Sequence, residues 1–161
     1  MLVVGIYRTT EVRNQGGNEM LLAQRFALVF GIIYLIVGIL GFIPVPPILV
    51  PIEIVGPFGG VMGPFEGFLL GLFPVNWLHN LAHIGIGAAG LASFRSPGGA
   101  RTYALVVGVL YVVLALLGLI VPTLFGLLPL GGLDITLHAV TAILAFVAYF
   151  ASSRGVARPA A

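Results

Sequence analysis

The sequence of 161 residues has no cysteine and no lysine, and only 7% of its residues are charged. The lack of cysteine excludes disulfides, thiolate catalysis and zinc or iron–sulfur sites that bind through sulfur. The lack of lysine excludes a phosphate-binding loop, which needs a lysine after its glycine-rich turn. A net charge of +2 is too small to indicate a nucleic-acid partner.

Apolar residues, by contrast, are abundant. They make up 60% of the chain, with a mean hydropathy of +1.16, whereas a soluble domain carries about 25% charged residues. A bilayer core needs roughly 20 predominantly apolar residues per helix, and we place such spans at about residues 23–43, 76–94, 102–121 and 133–151. Pro44 and Pro122 end the first and third spans, because proline cannot continue a helix. The sequence therefore predicts an all-α membrane protein with four transmembrane helices in a lipid bilayer.

The second half of the chain repeats the first. Residues 27–34 (ALVFGIIY) return as residues 104–111 (ALVVGVLY), and His83 returns as His138. The repeats cover about residues 23–94 and 102–151, and each contains two spans. The two halves therefore form tandem helical hairpins with the same orientation, related by an axis along the membrane normal, unlike the inverted repeats of many transporters.

The arginines predict the orientation of the spans. They lie before the first span, between the second and third, and after the fourth: Arg8, Arg13, Arg25, Arg95, Arg101, Arg154 and Arg158. Cationic residues mark the cytoplasmic side, so we expect a multi-pass protein of the bacterial inner membrane with cytoplasmic tails at residues 1–22 and 152–161. Residues 95–101 are predicted to form a polar turn on that side, and Met20 is an alternative start of translation.

The first outer loop, residues 44–73, is rich in proline and glycine and is also apolar. Such a loop would not stay fully in water, so we expect it to cover the outer face of the bundle or to lie in the membrane interface. A short strand or hairpin at about residues 48–55 is one expectation. A lid or a partner-docking surface is the functional alternative.

The few polar side chains inside the spans are the candidate functional site, because such residues are costly in a membrane. The second span carries His79 and His83, and the fourth carries Asp134 and His138, each pair at i, i+4 and so on one helix face. Counting about 1.5 Å per residue from Pro74 and Pro44 puts His83 and Tyr34 at similar depths. We therefore expect Tyr34 to meet His83.

The repeat extends this expectation to Tyr111 and His138. Asn76 is expected to cap the second helix by accepting a hydrogen bond from a free backbone N–H. Asp134 has two interpretations, as a similar cap of the fourth helix or as a member of the polar site.

Three interpretations of the polar residues stay open. In the first, these residues form a hydrogen-bond network that fixes helix pairing. In the second, His79, His83, His138 and Asp134 bind a transition metal. Alternatively, a histidine is an axial ligand of haem or a chlorin, with room left by small residues: Gly87, Gly90, Ala142 and Ala145. Asn80 follows His79 where a zinc protease has glutamate, so the sequence does not indicate an enzyme.

Residues 23–44 and 70–92 resemble the bacterial membrane family known as domain of unknown function 4383. The most specific part is Asn–x–x–His–Asn–x–x–His, formed by Asn76, His79, Asn80 and His83. The resemblance covers about residues 20–151 and implies a four-helix membrane protein, with no agreed activity. It also selects these four residues as the site to test.

Two functions are expected from these observations. The first is a small non-catalytic membrane protein that acts by packing, as a homo-oligomer or as an accessory or scaffold subunit of a membrane complex. The second is a membrane protein that binds a metal, haem or chlorin through the histidines of its second and fourth helices.

Overall fold

The computed structural model describes residues 20–43 and 67–153 and contains four long helices in that part of the chain. The helices are α1 (Leu22–Leu40), α2 (Trp77–Ser93), α3 (Pro97–Ile120) and α4 (Leu133–Ser153). Three of them, α1, α3 and α4, are long and apolar enough to cross a membrane. The predicted helical fold is therefore confirmed, while a span through the 17-residue α2 stays a prediction.

Each helix packs most closely on its neighbour in the sequence, α1 on α2 and α3 on α4, and α1 also contacts both α3 and α4. Small residues allow the close approach of α1 and α2. A Cβ added at Gly87 would lie 2.5 Å from the backbone nitrogen of Leu35, and one added at Gly90 would lie 2.7 Å from the carbonyl oxygen of Ala27. The two helices therefore touch backbone to backbone, as small-residue interfaces in membranes do.

The core between the four helices is built from small and aromatic side chains. Alanines of α1, α3 and α4 are buried beside Phe26, Tyr34, Tyr103 and Tyr111. The outward faces of the same helices are apolar: the side chains of Ile36, Val109, Leu119, Ile143 and many like them are exposed. An apolar outside around a compact core is the pattern expected of helices in lipid.

At one end of the bundle the helix ends are joined by side-chain hydrogen bonds. The hydroxyl of Ser152 accepts a hydrogen bond of 2.8 Å from the backbone N–H of Ala23, which joins the start of α1 to the end of α4. The Gln24 amide donates to the carbonyl of Phe94 at 3.0 Å, which joins α1 to the end of α2. These contacts satisfy backbone groups that a helix leaves unpaired at its ends.

The opposite end, at which α2 and α4 begin, is called the hairpin end below. A short antiparallel hairpin precedes α2, with β1 (Gly67–Leu69) paired to β2 (Phe73–Val75) in the register Gly67 to Val75 and Leu69 to Phe73. Its turn has positive φ at Leu70 and Gly71, as in a type I′ turn. Phe68, Leu69 and Val75 are buried, so the hairpin packs on the bundle. A 3₁₀ turn, Leu124–Gly126, lies in the connection from α3 to α4.

Several predicted boundaries were wrong. The third helix begins at Pro97 instead of residue 102, because Ser96 accepts a hydrogen bond from the N–H of Gly99 and proline fits the first position of a helix. The polar turn is correspondingly shorter than residues 95–101. Helix α1 ends at Leu40 instead of residue 43. The tails predicted at residues 1–22 and 152–161 begin or end inside helices, since α1 starts at Leu22 and α4 ends at Ser153. The rest of both tails, residues 1–19 and 154–161, and the strand or hairpin predicted at about residues 48–55 lie outside the described residues.

Candidate functional site

The candidate site is a group of buried polar side chains at the hairpin end, formed where α2 and α4 begin. Asn76 caps α2, since its side chain accepts a hydrogen bond of 2.8 Å from the N–H of His79, as predicted. The cap places His79 in the first turn of α2, and Asp134 lies in the first turn of α4. Both helices start at the same end, so the two residues face each other across the bundle.

Three side chains of this group converge on one point. Oδ2 of Asp134 lies 3.5 Å from Nε2 of His138 and 4.0 Å from Nε2 of His79. The ligand atoms of all three residues lie within 4.8 Å of one another, and the residues are only 4% exposed for His79 and 1% for the other two. This group is called the triad below. The triad brings one histidine of α2 to two residues of α4.

Within the described part of the chain, three polar side-chain atoms of the triad have no hydrogen-bond partner. Among the described residues, Oδ2 of Asp134, Nδ1 of His79 and Nδ1 of His138 are buried and have no hydrogen-bond partner. Buried polar atoms usually have partners, because an unpaired one costs free energy. Three unpaired atoms in one cluster therefore require a physical explanation.

Aromatic rings form the wall of the site on the side away from the hairpin end. The ring of Tyr34 meets that of His83 edge-on with centroids 5.2 Å apart, and the ring of Tyr111 meets that of His138 at 4.9 Å. Both contacts were predicted from depth along the helices and are confirmed. The two tyrosines also touch each other, with centroids 5.6 Å apart.

Thr141 is a site residue that the sequence analysis missed. Its Oγ1 lies 3.2 Å from the hydroxyl oxygen of Tyr34, and either group can donate. Because Thr141 follows His138 by three residues, it shares that face of α4, a spacing that could have identified it. This hydrogen bond joins α1 to α4 directly beneath the triad.

The two asparagines lie at the edge of the site. Besides capping α2, Asn76 donates from Nδ2 to the carbonyl of Leu127 at 2.8 Å, which ties the start of α2 to the connection before α4. Asn80 is fully buried against Gly41, at the end of α1. The structure therefore separates the predicted residues into a triad with adjacent rings, Asn76, which positions the start of α2, and Asn80, whose side-chain amide has no hydrogen-bond partner among the described residues.

Two sequence interpretations are corrected here. Asp134 is one residue inside α4 and points toward histidines, so it is a member of the polar site instead of the residue that precedes and caps the helix. The backbone of α1 occupies the space beside Gly87 and Gly90. A haem or chlorin next to these glycines would therefore have to displace α1.

The family model for a domain of unknown function (DUF4383) matches residues 24–151. The chain belongs to this family. No functionally curated protein and no solved structure matches it. The matched region of this DUF4383 member includes all four described helices up to residue 151 and the whole triad.

We expect Asn76 to stabilise the start of α2 next to the site through its two hydrogen bonds. Asn76→Ala removes both the α2 cap and the bond to Leu127, so it should lower the free energy of unfolding by about 2 kcal/mol, with roughly 1 kcal/mol from the cap and about 1 from the second bond. Asn76→Asp keeps the capping oxygen and loses only the donor, and should cost about half as much. Unfolding in a mild detergent measures both. Equal losses for the two variants would contradict the assignment of separate roles to the two side-chain atoms.

Proposed function

We propose that this chain is a small membrane protein that holds a transition-metal ion inside its helical bundle through His79, Asp134 and His138. The observation that carries the proposal is the convergence of three buried ligand atoms within 4.8 Å of one another. Two neutral imidazoles and one carboxylate suit zinc, iron or copper. A metal ion held by the two Nε2 atoms would give Oδ2 of Asp134, which has no hydrogen-bond partner among the described residues, the partner that the described protein does not supply.

The distances in the triad agree with this role. Donor atoms that share one tetrahedral ion at bonds of about 2.0–2.2 Å are separated by roughly 3.4 Å. Asp134 and His138 present their donors at 3.5 Å, and Asp134 and His79 at 4.0 Å. All three donor pairs, including that of His79 and His138, lie within 4.8 Å. Small side-chain rotations that move each donor atom by less than about 1 Å would bring them to the tetrahedral separation.

A hydrogen-bond network is the competing explanation of the same residues. The bond between Tyr34 and Thr141 is of this kind, but Nε2 of His138 and Nε2 of His79 lie 3.5 and 4.0 Å from Oδ2 of Asp134, which is longer than a good N–H···O hydrogen bond. A network that fixed helix pairing would be expected to use its buried donors and acceptors fully. The unpaired Oδ2 of Asp134, on which the two Nε2 atoms converge, therefore favours a bound ion over a network.

The membrane setting belongs to this proposal. The three span-like helices, with α2 as the fourth span, would form two tandem hairpins of the same orientation. Arg25, Arg95 and Arg101 lie at the end opposite the hairpin end, so the positive-inside rule assigns that end to the cytoplasm. Both tails would then be cytoplasmic, and the hairpin end would face outward across the bacterial inner membrane. In this setting the ion is bound without catalysis.

The proposal is tested by measuring bound metal. The full chain is purified from membranes in a mild detergent, stripped with a chelator and dialysed against buffered zinc, and metal and protein are quantified in the same sample. We expect one ion per chain. Asp134→Asn and His138→Ala should each weaken binding by more than about 100-fold, beyond the roughly 10–100-fold of an outer-shell change.

Ser152→Ala is the control variant, since it removes a buried polar group at the other end of the bundle. It should bind zinc as the native chain does. A native chain that takes up no zinc, copper or iron under these conditions, or triad variants that bind as well as the control, would refute the metal site.

A second function is supported by the exposed face of α2. That face consists largely of small residues, Ala82, Gly85, Ala88, Ala89 and Ala92, and a Cβ added at Gly85 would meet nothing within 4 Å. Small residues at such spacing allow another helix to approach closely in a membrane. We propose that this face packs against a second copy or against another subunit, as an accessory or scaffold protein would.

The mass of the complex in a gentle detergent tests this second function. An oligomer, or a stoichiometric membrane partner that copurifies, is expected. A monomer with no partner would contradict it.

A further inference from the structure

His83 is the buried polar residue of the site that the triad leaves without a role. It is 5% exposed, and among the described residues its Nδ1 has no hydrogen-bond partner. It follows His79 by one helical turn and so lies on the same face of α2. A buried imidazole with an unused nitrogen next to a metal-binding triad is either a further ligand or a packing residue.

The ring of His83 lies next to that of one triad ligand, although His83 is not among the three residues whose ligand atoms lie within 4.8 Å of one another. The centroid of its ring lies 4.4 Å from that of His79, whereas the centroids of His79 and His138 are 6.4 Å apart. Two imidazoles on one tetrahedral ion place their ring centres roughly 5 Å apart, given bonds of about 2.0–2.1 Å. The ring of His83 is closer to His79 than this spacing, and the ring of His138 is farther from it.

The surroundings of the two deeper histidines are alike. Tyr34 meets the ring of His83 edge-on, and Tyr111 meets the ring of His138 in the same way. The hydroxyl of Tyr34 already pairs with Thr141. The rings thus close the inner side of the site and leave His83 as the nearest imidazole for a fourth coordination position.

We propose that His83 is the fourth protein ligand, so that the ion has three imidazoles and one carboxylate around it. This inference rests on the proposed metal-binding function and specifies its ligand set. A tetrahedral site with four protein ligands is closed, and closed sites hold an ion as a structural element, whereas catalytic sites keep one position for water or substrate. The ion would then fasten α2 to α4.

Cobalt(II) tests the number of ligands, because its visible absorption is strong in four-coordinate sites and weak in higher coordination. The chelator-treated full chain is titrated with cobalt(II) in detergent, for the native chain, His83→Ala, His83→Gln and Tyr103→Phe. Tyr103→Phe is the control, since it removes a hydroxyl that pairs with the α2 carbonyl of Ile86 and leaves the histidines intact.

We expect strong visible bands in the native chain and in Tyr103→Phe. Both His83 variants should lose most of the band intensity and bind cobalt more than about 100-fold more weakly, beyond the roughly 10–100-fold of an outer-shell residue. Circular dichroism of each sample identifies a variant that has failed to fold, and His83→Gln retains side-chain volume if His83→Ala does not fold.

The outcomes separate this inference from the function on which it rests. Native affinity and an unchanged spectrum in folded His83 variants would overturn the ligand role of His83 and leave the triad intact. Absence of cobalt and zinc binding by the native chain would refute the metal site as a whole.

Discussion

Gly87→Ala should destabilise the protein by about 1–3 kcal/mol, the range typical of inserting a group into a packed interior. The added methyl would lie 2.5 Å from the backbone nitrogen of Leu35 and 2.8 Å from the carbonyl oxygen of Gly31. Both are backbone atoms, so neither can move aside as a flexible side chain would. Helices α1 and α2 would have to separate along their length.

Gly85→Ala is the matched control, two residues away on the same helix. A methyl there meets nothing within 4 Å, and alanine has the higher helix propensity by roughly 1 kcal/mol. In the monomer we expect this variant to be neutral or slightly more stable, so only Gly87→Ala should destabilise the protein. Unfolding by heat or SDS in a mild detergent measures both. Similar behaviour of the two variants would show that α1 and α2 are not in backbone contact at Gly87.

Asp134→Leu should stabilise the metal-free protein and abolish the stabilisation that metal gives to the native chain. Without metal, the substitution removes a buried carboxylate whose Oδ2 has no hydrogen-bond partner among the described residues, and we expect a gain of about 1–3 kcal/mol in the free energy of unfolding. With metal, the native chain gains binding free energy that the variant cannot obtain. At free metal of 100 times Kd this is about 2.7 kcal/mol.

Thr141→Val is the control for this second experiment. It removes the hydrogen bond between Thr141 and the hydroxyl of Tyr34, so it should cost about 1 kcal/mol with or without metal, and the stabilisation by metal should be unchanged. Thermal unfolding with and without zinc supplies all four comparisons. If Asp134→Leu destabilises the metal-free protein, the triad is a structural network and the metal proposal loses its main support.

The contacts predicted from the sequence are those that follow from counting along rigid helices. The pairings of Tyr34 with His83 and of Tyr111 with His138 needed only the rise per residue and the positions of two prolines. The cap at Asn76 followed from residue type alone. Each of these depends on local geometry that the sequence states directly.

Other features were left open or were missed. The convergence of His79, Asp134 and His138 was one of three open interpretations, because choosing it requires the rotation of α2 and α4 about their axes, which apolar faces on every side leave undetermined. The hairpin Gly67–Leu69 and Phe73–Val75 was missed because its strands have three residues each, too few for an alternating pattern. The start of α3 at Pro97 was misplaced because serine, proline and glycine also suit turns.

The triad takes His79 from the first hairpin and Asp134 and His138 from the second. During synthesis, α1 and α2 leave the ribosome with only one residue of the triad, His79. Asp134 and His138 follow only with α4. The proposed ion could therefore be captured only after the last helix has entered the membrane. Bound metal would then mark chains whose insertion is complete, and a nascent chain stopped before Asp134 would carry none at this site.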